Sequence, residues 1–304
     1  MRSLAPRGGA AALSSLLLIL STAGVAAAQT SAATPAAPAK PAKPAAPGAP
    51  PASAPAAAPA PTAQQLAAGK TLFAKVVDAL GGSAKARTVK DVQTRGQVTA
   101  KTPDGEMTME IQTAMVFPDK LSQQLDAPFG RMAMVATPTT AFVIGPNGSS
   151  DLPPQMRDEL LKQVQRVPLW LAQKTDDPKL TVAAMGTDKV GDVDASVLDV
   201  HYGNMSVRWA IDPKTYRILR SYHTALGPSG NMVKISSDYS DYRSESGFPV
   251  AHHLEVTTDG QRDQTLTLEE CKINAGVDEK VFVKPPQPTP GPTVPPAEPQ
   301  APGT

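Results

Sequence analysis

Cysteine is nearly absent from this 304-residue chain. Cys271 stands alone, so no internal disulfide forms. An excess of one charge sign is absent too: 29 Lys and Arg face 28 Asp and Glu, with no basic block. That balance argues against a nucleic-acid partner, because neutralising phosphates needs clustered Lys and Arg. No stretch after the first 28 residues is apolar enough for a spanning helix. Familiar catalytic signatures are missing as well. Residues 227–230, Gly-Pro-Ser-Gly, lack the spacing of a nucleophile elbow and read as a turn. There is no phosphate loop and no dinucleotide fingerprint. His252 and His253 are neighbours on a strand pattern, so they point to opposite faces and cannot chelate one metal. His201 and His223 lack Cys or carboxylate partners at ligand spacing. Asp238, Asp241 and Glu245 form a solvated face or turn, with a weak calcium site as the other reading. The expectation is no catalytic residue, no cofactor and no metal, hence no enzyme.

What is present begins with a secretory signal at 1–28. Arg2 and Arg7 start it, 13–25 is a short apolar run, and Ala26-Ala27-Ala28 offers a cleavage point. No Cys follows that point to carry a lipid anchor. The mature protein is therefore expected to be exported and soluble, in a periplasm or fully secreted; a periplasm is preferred. Residues 29–62 are almost all Ala, Pro, Ser, Thr and Lys, and 287–304 form a second Pro-rich tail. Such segments bury too little apolar surface to offset their ordering entropy, and Pro keeps them extended. They read as tethers or as solubilising tails. Between them, 63–286 is long enough for one sizeable core.

A helix is expected at 63–80, with Leu66, Phe73, Val76, Val77 and Leu80 on one face and Gly81-Gly82 ending it. Ser83 caps a short second helix through Val89. Strands follow at 92–102 and 105–117, joined by a turn around Asp104-Gly105, and then at 120–125, 131–137 and 140–144. Asp151 reads as the N-cap of a helix carrying Pro153 and Pro154 in its first turn and running through 155–167. Pro168 breaks it, and Leu169-Trp170-Leu171 starts another turn, either core or part of a movable cover. Strands then recur at 180–187, 195–202, 205–211, 217–226, 231–242, 252–259 and 264–273. Short turns favour antiparallel pairing, and the helices must cover one face, giving an α+β, mainly antiparallel, layering.

One strand stands out. In 106–117 the odd positions are Met107, Met109, Ile111, Met115 and Phe117, interrupted by Thr113, while polar residues dominate the even ones. Met132 and Met134 repeat the pattern in 131–136. A period of two sorts these onto one face. Met is unbranched and polarizable, so it packs against variable partners. The face reads either as ordinary core or as an adaptable surface for a lipid.

Several local patterns occur in a familiar order. They are Gly81-Gly82 after the first helix, Phe117-Pro118 at a strand end, and Thr140 through Pro146 running from strand into turn. Ile211-Asp212-Pro213-Lys214-Thr215, Tyr239-Ser240-Asp241-Tyr242-Arg243, Gly247-Phe248-Pro249 and Phe282-Val283-Lys284-Pro285-Pro286 complete the set. In this order and spacing, 63–286 resembles the periplasmic outer-membrane lipoprotein carriers, the LolA/LolB-like superfamily. The resemblance implies an incomplete, unclosed β-barrel whose concave face is covered by helices and receives acyl chains. It also implies an Arg shortly after the Pro that points inward to latch the cover. Here Ser122 stands at that count, and Lys120 shares its face as a substitute.

On this reading the chain binds lipid or lipoprotein acyl chains as a monomeric carrier. The cavity lining is expected to come from Met107, Met109, Ile111, Met115, Met132 and Met134 on the sheet, with Phe142, Ile144 and Trp209. Leu160, Leu161, Val164 and Trp170 would line it from the helical cover. The alternative is an envelope sensor or interaction protein on the same fold, regulating a membrane-protein partner.

Overall fold

A computed structural model of the chain describes residues 60–102, 105–227 and 230–286. The expected signal, most of the expected linker and the Pro-rich tail lie outside the described residues. So do Asp104 of the first hairpin turn and Ser229 of a later one.

Helix α1 (Ala63–Ala79) starts with a capping box: Thr62 accepts from the Gln65 backbone, and the Gln65 side chain accepts from Thr62. It ends as Gly81 turns left-handed at φ +104°, with the Gly82 amide donating back to the Val77 carbonyl. A one-turn helix α2 (Ser83–Ala86) follows. The first run of strands is β1 (Asp91–Thr102), β2 (Gly105–Val116), β3 (Lys120–Ala127), β4 (Gly130–Ala136), β5 (Ala141–Gly145) and β6 (Gly148–Asp151). Helices α3 (Pro154–Arg166) and α4 (Pro168–Ala172) come next. The second run is β7 (Leu180–Val190), β8 (Val193–Tyr202), β9 (Met205–Ile211), β10 (Ile218–Leu226), β11 (Met232–Glu245), β12 (Phe248–Thr258) and β13 (Gln261–Ile273), closed by a 3-10 turn at Glu279–Phe282.

The 13 strands among the described residues form one antiparallel sheet in the order β6-β5-β4-β3-β2-β1-β13-β12-β11-β10-β9-β8-β7. Two meanders therefore join through β1 and β13 at the centre, and β6 and β7 remain unpaired edges. The sheet curls without closing. Helix α3 lies across it, touching β3, β4 and β5 on one side and β9 and β10 on the other. This is the open barrel with helices over its concave face that the sequence led us to expect.

The elements agree with the sequence reading except at a few ends and at β6; α2 stops at Ala86 rather than Val89, and Gly82, not Ser83, holds its N-cap position without a side-chain cap. Asp151 does not cap α3. It closes the edge strand β6 and pairs with Lys284 at 2.8 Å, while Pro153 occupies the N-cap position. β6 was missed because Gly-Ser-Ser-Asp carries no alternation and pairs only with β5.

Two packed clusters occupy the concave side. One holds Phe73, Val76 and Val77 of α1, Leu169–Ala172 of α4, and Val182, Leu198, Val200, Val207 and Trp209 of β7–β9. Phe73 stacks on Trp209 at 6.2 Å, and Trp170 meets Tyr202 edge-on at 4.8 Å. The other holds Val98, Met109, Ile111, Leu121, Leu125 and Met134 beneath Met156, Leu160 and Val164 of α3. Tight packing fixes the first cluster: a Cβ at Gly69 of α1 would lie 2.6 Å from the Val182 carbonyl oxygen and the Ala183 Cα.

Candidate functional site

Between the two clusters lies a cavity of about 370 Å³. Small-molecule pockets span about 300–1,000 Å³. Its floor is the centre of the sheet: Val92 and Thr94 of β1, Ile111, Thr113 and Met115 of β2, Leu266, Leu268 and Cys271 of β13, and Leu254 and Val256 of β12. The register explains the set. Val92 pairs with Met115 and Ile273, Thr94 with Thr113 and Cys271, and Leu254 with Leu266 and Tyr239, so all share one face. The roof is Val76, Ala79 and Leu80 of α1, Gln163 and Arg166 of α3, and Val167, Pro168 and Leu169 leading into α4.

A break in the β11–β12 ladder adds a wall. Asp241 takes φ +49°, and the ladder skips from the Ser240–His253 pair to the Tyr242–Ala251 pair without a change of register. A strict period of two would send Tyr239 and Tyr242 to opposite faces, yet on either side of this break both line the cavity. The Tyr239 hydroxyl lies 2.9 Å from Ser221 Oγ, and Tyr242 donates to the Ile218 carbonyl at 2.6 Å. Burial raises both phenols, so both stay neutral.

The sparse polar groups of the lining are unevenly satisfied. Arg166 reaches in from the last turn of α3, its side chain one-tenth exposed. Nη2 donates to Glu159 Oε1 at 2.9 Å, and Glu159 also holds Lys162 at 3.1 Å. Arg166 Nε and Nη1 have no hydrogen-bond partner. They carry three of the guanidinium's five N–H bonds. Burial pulls this guanidinium below its ordinary range, against the pull of Glu159. Gln123 Oε1 is a third buried atom of the lining without a partner among the described residues. His223, beside Arg166, is held neutral with its pKa lowered to about 3, first by burial and then by the Arg166 charge. The lone Cys271 thiol is pushed up to about 11, chiefly by burial.

Of the residues expected to line the cavity, Ile111 and Met115 do so. Met109, Met134, Leu160 and Val164 are buried beside it, filling the space between the sheet and α3, and Met107, Met132 and Leu161 pack at the margin of that cluster. Trp170 and Trp209 sit in the opposite cluster. Phe142 and Ile144 are corrections. Phe142 pairs with Val135 and Ile144 with Ala133, a parity that puts them on the outer face. There Phe142 packs against Val135 and Phe282, and Ile144 joins them. The inward residue of β5 is Val143, opposite Met134. A five-residue apolar strand buried on both faces gives no alternation to read.

Neither latch candidate faces inward. Ser122 pairs with Val135 on the outer face, and Lys120 binds Glu279 at 2.7 Å. The buried arginine in the cavity, Arg166, comes from the cover instead of the sheet; Arg217, beside β10, also lines it but is exposed, its guanidinium 5.2 Å from the Tyr242 ring. Residues 159–166 carried the signal, since Glu159, Lys162 and Arg166 recur at helical spacing on an otherwise core-facing helix. The acidic trio is also resolved: Asp238 pairs with Arg220, Asp241 with Arg243, and Glu245 lies 3.0 Å from His252 Nε2.

No protein-family model and no curated protein matches this chain. Solved structures do. A DUF1329 family protein from Desulfovibrio piger, 11% identical, matches with a TM-score of 0.50 over 72% of this chain and 97% of that one. A LolA superfamily protein from Nitrosomonas europaea, 13% identical, matches with a TM-score of 0.47 over 71% and 98%. At 11% identity the likeness to the Desulfovibrio piger protein is one of fold alone.

Proposed function

We propose that the protein is a periplasmic carrier or binder that shelters an acyl chain between its sheet and its helical cover. The observation behind this reading is the cavity of about 370 Å³, open between two well-packed clusters and floored by Leu254, Val256, Leu266 and Leu268. Each methylene taken from water contributes roughly 0.8 kcal/mol, so eight carbons would supply about 6 kcal/mol before the cost of association. The Met-rich strands support the site from one side: they pack under α3 and let the cover settle over chains of different length.

Binding without chemistry fits the polar groups. A thiol held near 11 is no nucleophile at neutral pH, and an imidazole held near 3 is a weak base there. Export follows from the basic start, apolar run and small residues of 1–28.

The test is mass spectrometry of the purified mature chain under native conditions, followed by uptake of a fluorescent fatty acid. Co-purified lipid or saturable uptake is expected. A protein free of lipid that also takes up no probe would overturn the reading.

A further inference from the structure

We infer that Arg166 is a headgroup anchor, so that the cavity selects acyl amphiphiles with an oxyanion head over neutral ones. The inference rests on the proposed lipid-binding role and sharpens it. Three observations carry it. The Arg166 side chain is nine-tenths buried, lines the cavity, and leaves Nε and Nη1 without acceptors. Its one carboxylate partner, Glu159, is shared with Lys162, so the three side chains together carry one net positive charge. Of the other titratable groups in the lining, His223 adds no charge at neutral pH, and Arg217 is exposed at the rim with its guanidinium over the Tyr242 ring.

A buried cation with idle N–H donors is costly unless something satisfies it. An oxyanion would cancel the remaining charge and accept from those donors in one step. The apolar floor of β12 and β13 continues from this polar corner, which gives a tail somewhere to lie. An amphiphile with a charged head and an aliphatic tail matches both parts. A free inorganic anion would leave the floor empty, and a plain hydrocarbon would leave the donors idle. A carboxylate and a phosphate share the required chemistry.

The experiment is calorimetric titration of the delipidated mature chain with dodecanoate, dodecyl phosphate and dodecanol. The anions are expected to bind at least tenfold more tightly than the alcohol. A tighter dodecanoate would point to a fatty-acid carboxylate, and a tighter dodecyl phosphate to a phospholipid head. R166Q should erase the preference of the anions over dodecanol. Because R166Q disturbs a buried ion pair, E159Q/R166Q is measured beside it and should also show no preference. Dodecanol binding as tightly as the anions in the native chain, or a preference that survives both variants, would overturn the anchor and leave the lipid-binding role standing. Failure of all three probes to bind would overturn both.

Discussion

Gly69 sits mid-helix in α1, where alanine is the better helix former by roughly 1 kcal/mol. Its Cβ position is taken by the backbone of β7, which cannot move aside like a flexible side chain. Overpacking of this kind costs about 1–3 kcal/mol or more. G69A is therefore expected to destabilise the fold by about 1–2 kcal/mol in urea unfolding, and an unchanged or raised midpoint would refute the close approach. At Glu159 the argument concerns charge. Removing one partner of a buried pair strands the other, at a cost of roughly 3 kcal/mol or more. E159Q is expected to lose that much, while E159Q/R166Q recovers part of it. His223 sets a pH dependence. Its pKa is about 3 folded against about 6.5 unfolded, so between those values the unfolded chain binds the extra proton. Stability is complete above about pH 6.5 and falls as the pH drops toward 3. H223Q should flatten that fall by about 1–2 kcal/mol at pH 4 in denaturant titrations, and an identical pH profile in the variant would sink the assignment.

At the scale of elements, long amphipathic segments were legible and lightly patterned ones were not. Helix α1 announced itself through its apolar stripe and its Gly81-Gly82 stop, and β2 through the alternation of Met107, Met109 and Ile111. That alternation identified a face, and the face is the concave one. It could not say whether the face would be bare or covered, because that depends on where α3 crosses from one meander to the other. Helix α3 covers the Met-rich strands and leaves the centre of the sheet open, so the hollow opens over β1, β2, β11, β12 and β13. Tyr242 was invisible as a lining residue because it turns inward past a left-handed Asp241, which no sequence pattern marks. This division of labour is testable. M109A and M134A should cost about 2–5 kcal/mol each through the cavities they leave, with little change in dodecanoate affinity. L254W, which fills the hollow, should weaken dodecanoate and dodecanol alike at least tenfold. Strong binding losses in the Met variants without stability loss would move the site back to those strands.

At the scale of the molecule, the sheet and its cover have different freedoms. The two meanders are tied at the centre by β1 and β13, whereas α3 and α4 sit on a connection that leaves the sheet at β6 and rejoins it at β7. Both of those strands are edges, so displacing the cover breaks no central ladder. α4 is held by its own buried Leu169, Trp170 and Leu171 and by Gln173 donating to the Val89 carbonyl at 2.9 Å. α3 lacks a side-chain cap and carries the incompletely partnered Arg166, so it is the part that a ligand can stabilise most. A ligand at one hundred times its dissociation constant adds about 2.7 kcal/mol. In a domain of this size class that corresponds to a rise in Tm of roughly 5–11 °C. The accompanying gain in amide protection should concentrate in α3 and around Val167–Leu169, with the outer strands β4–β6 unchanged. Hydrogen exchange with and without dodecanoate reads this directly. A rise in Tm whose added protection falls on β4–β6 would place the ligand elsewhere and remove α3 from its binding.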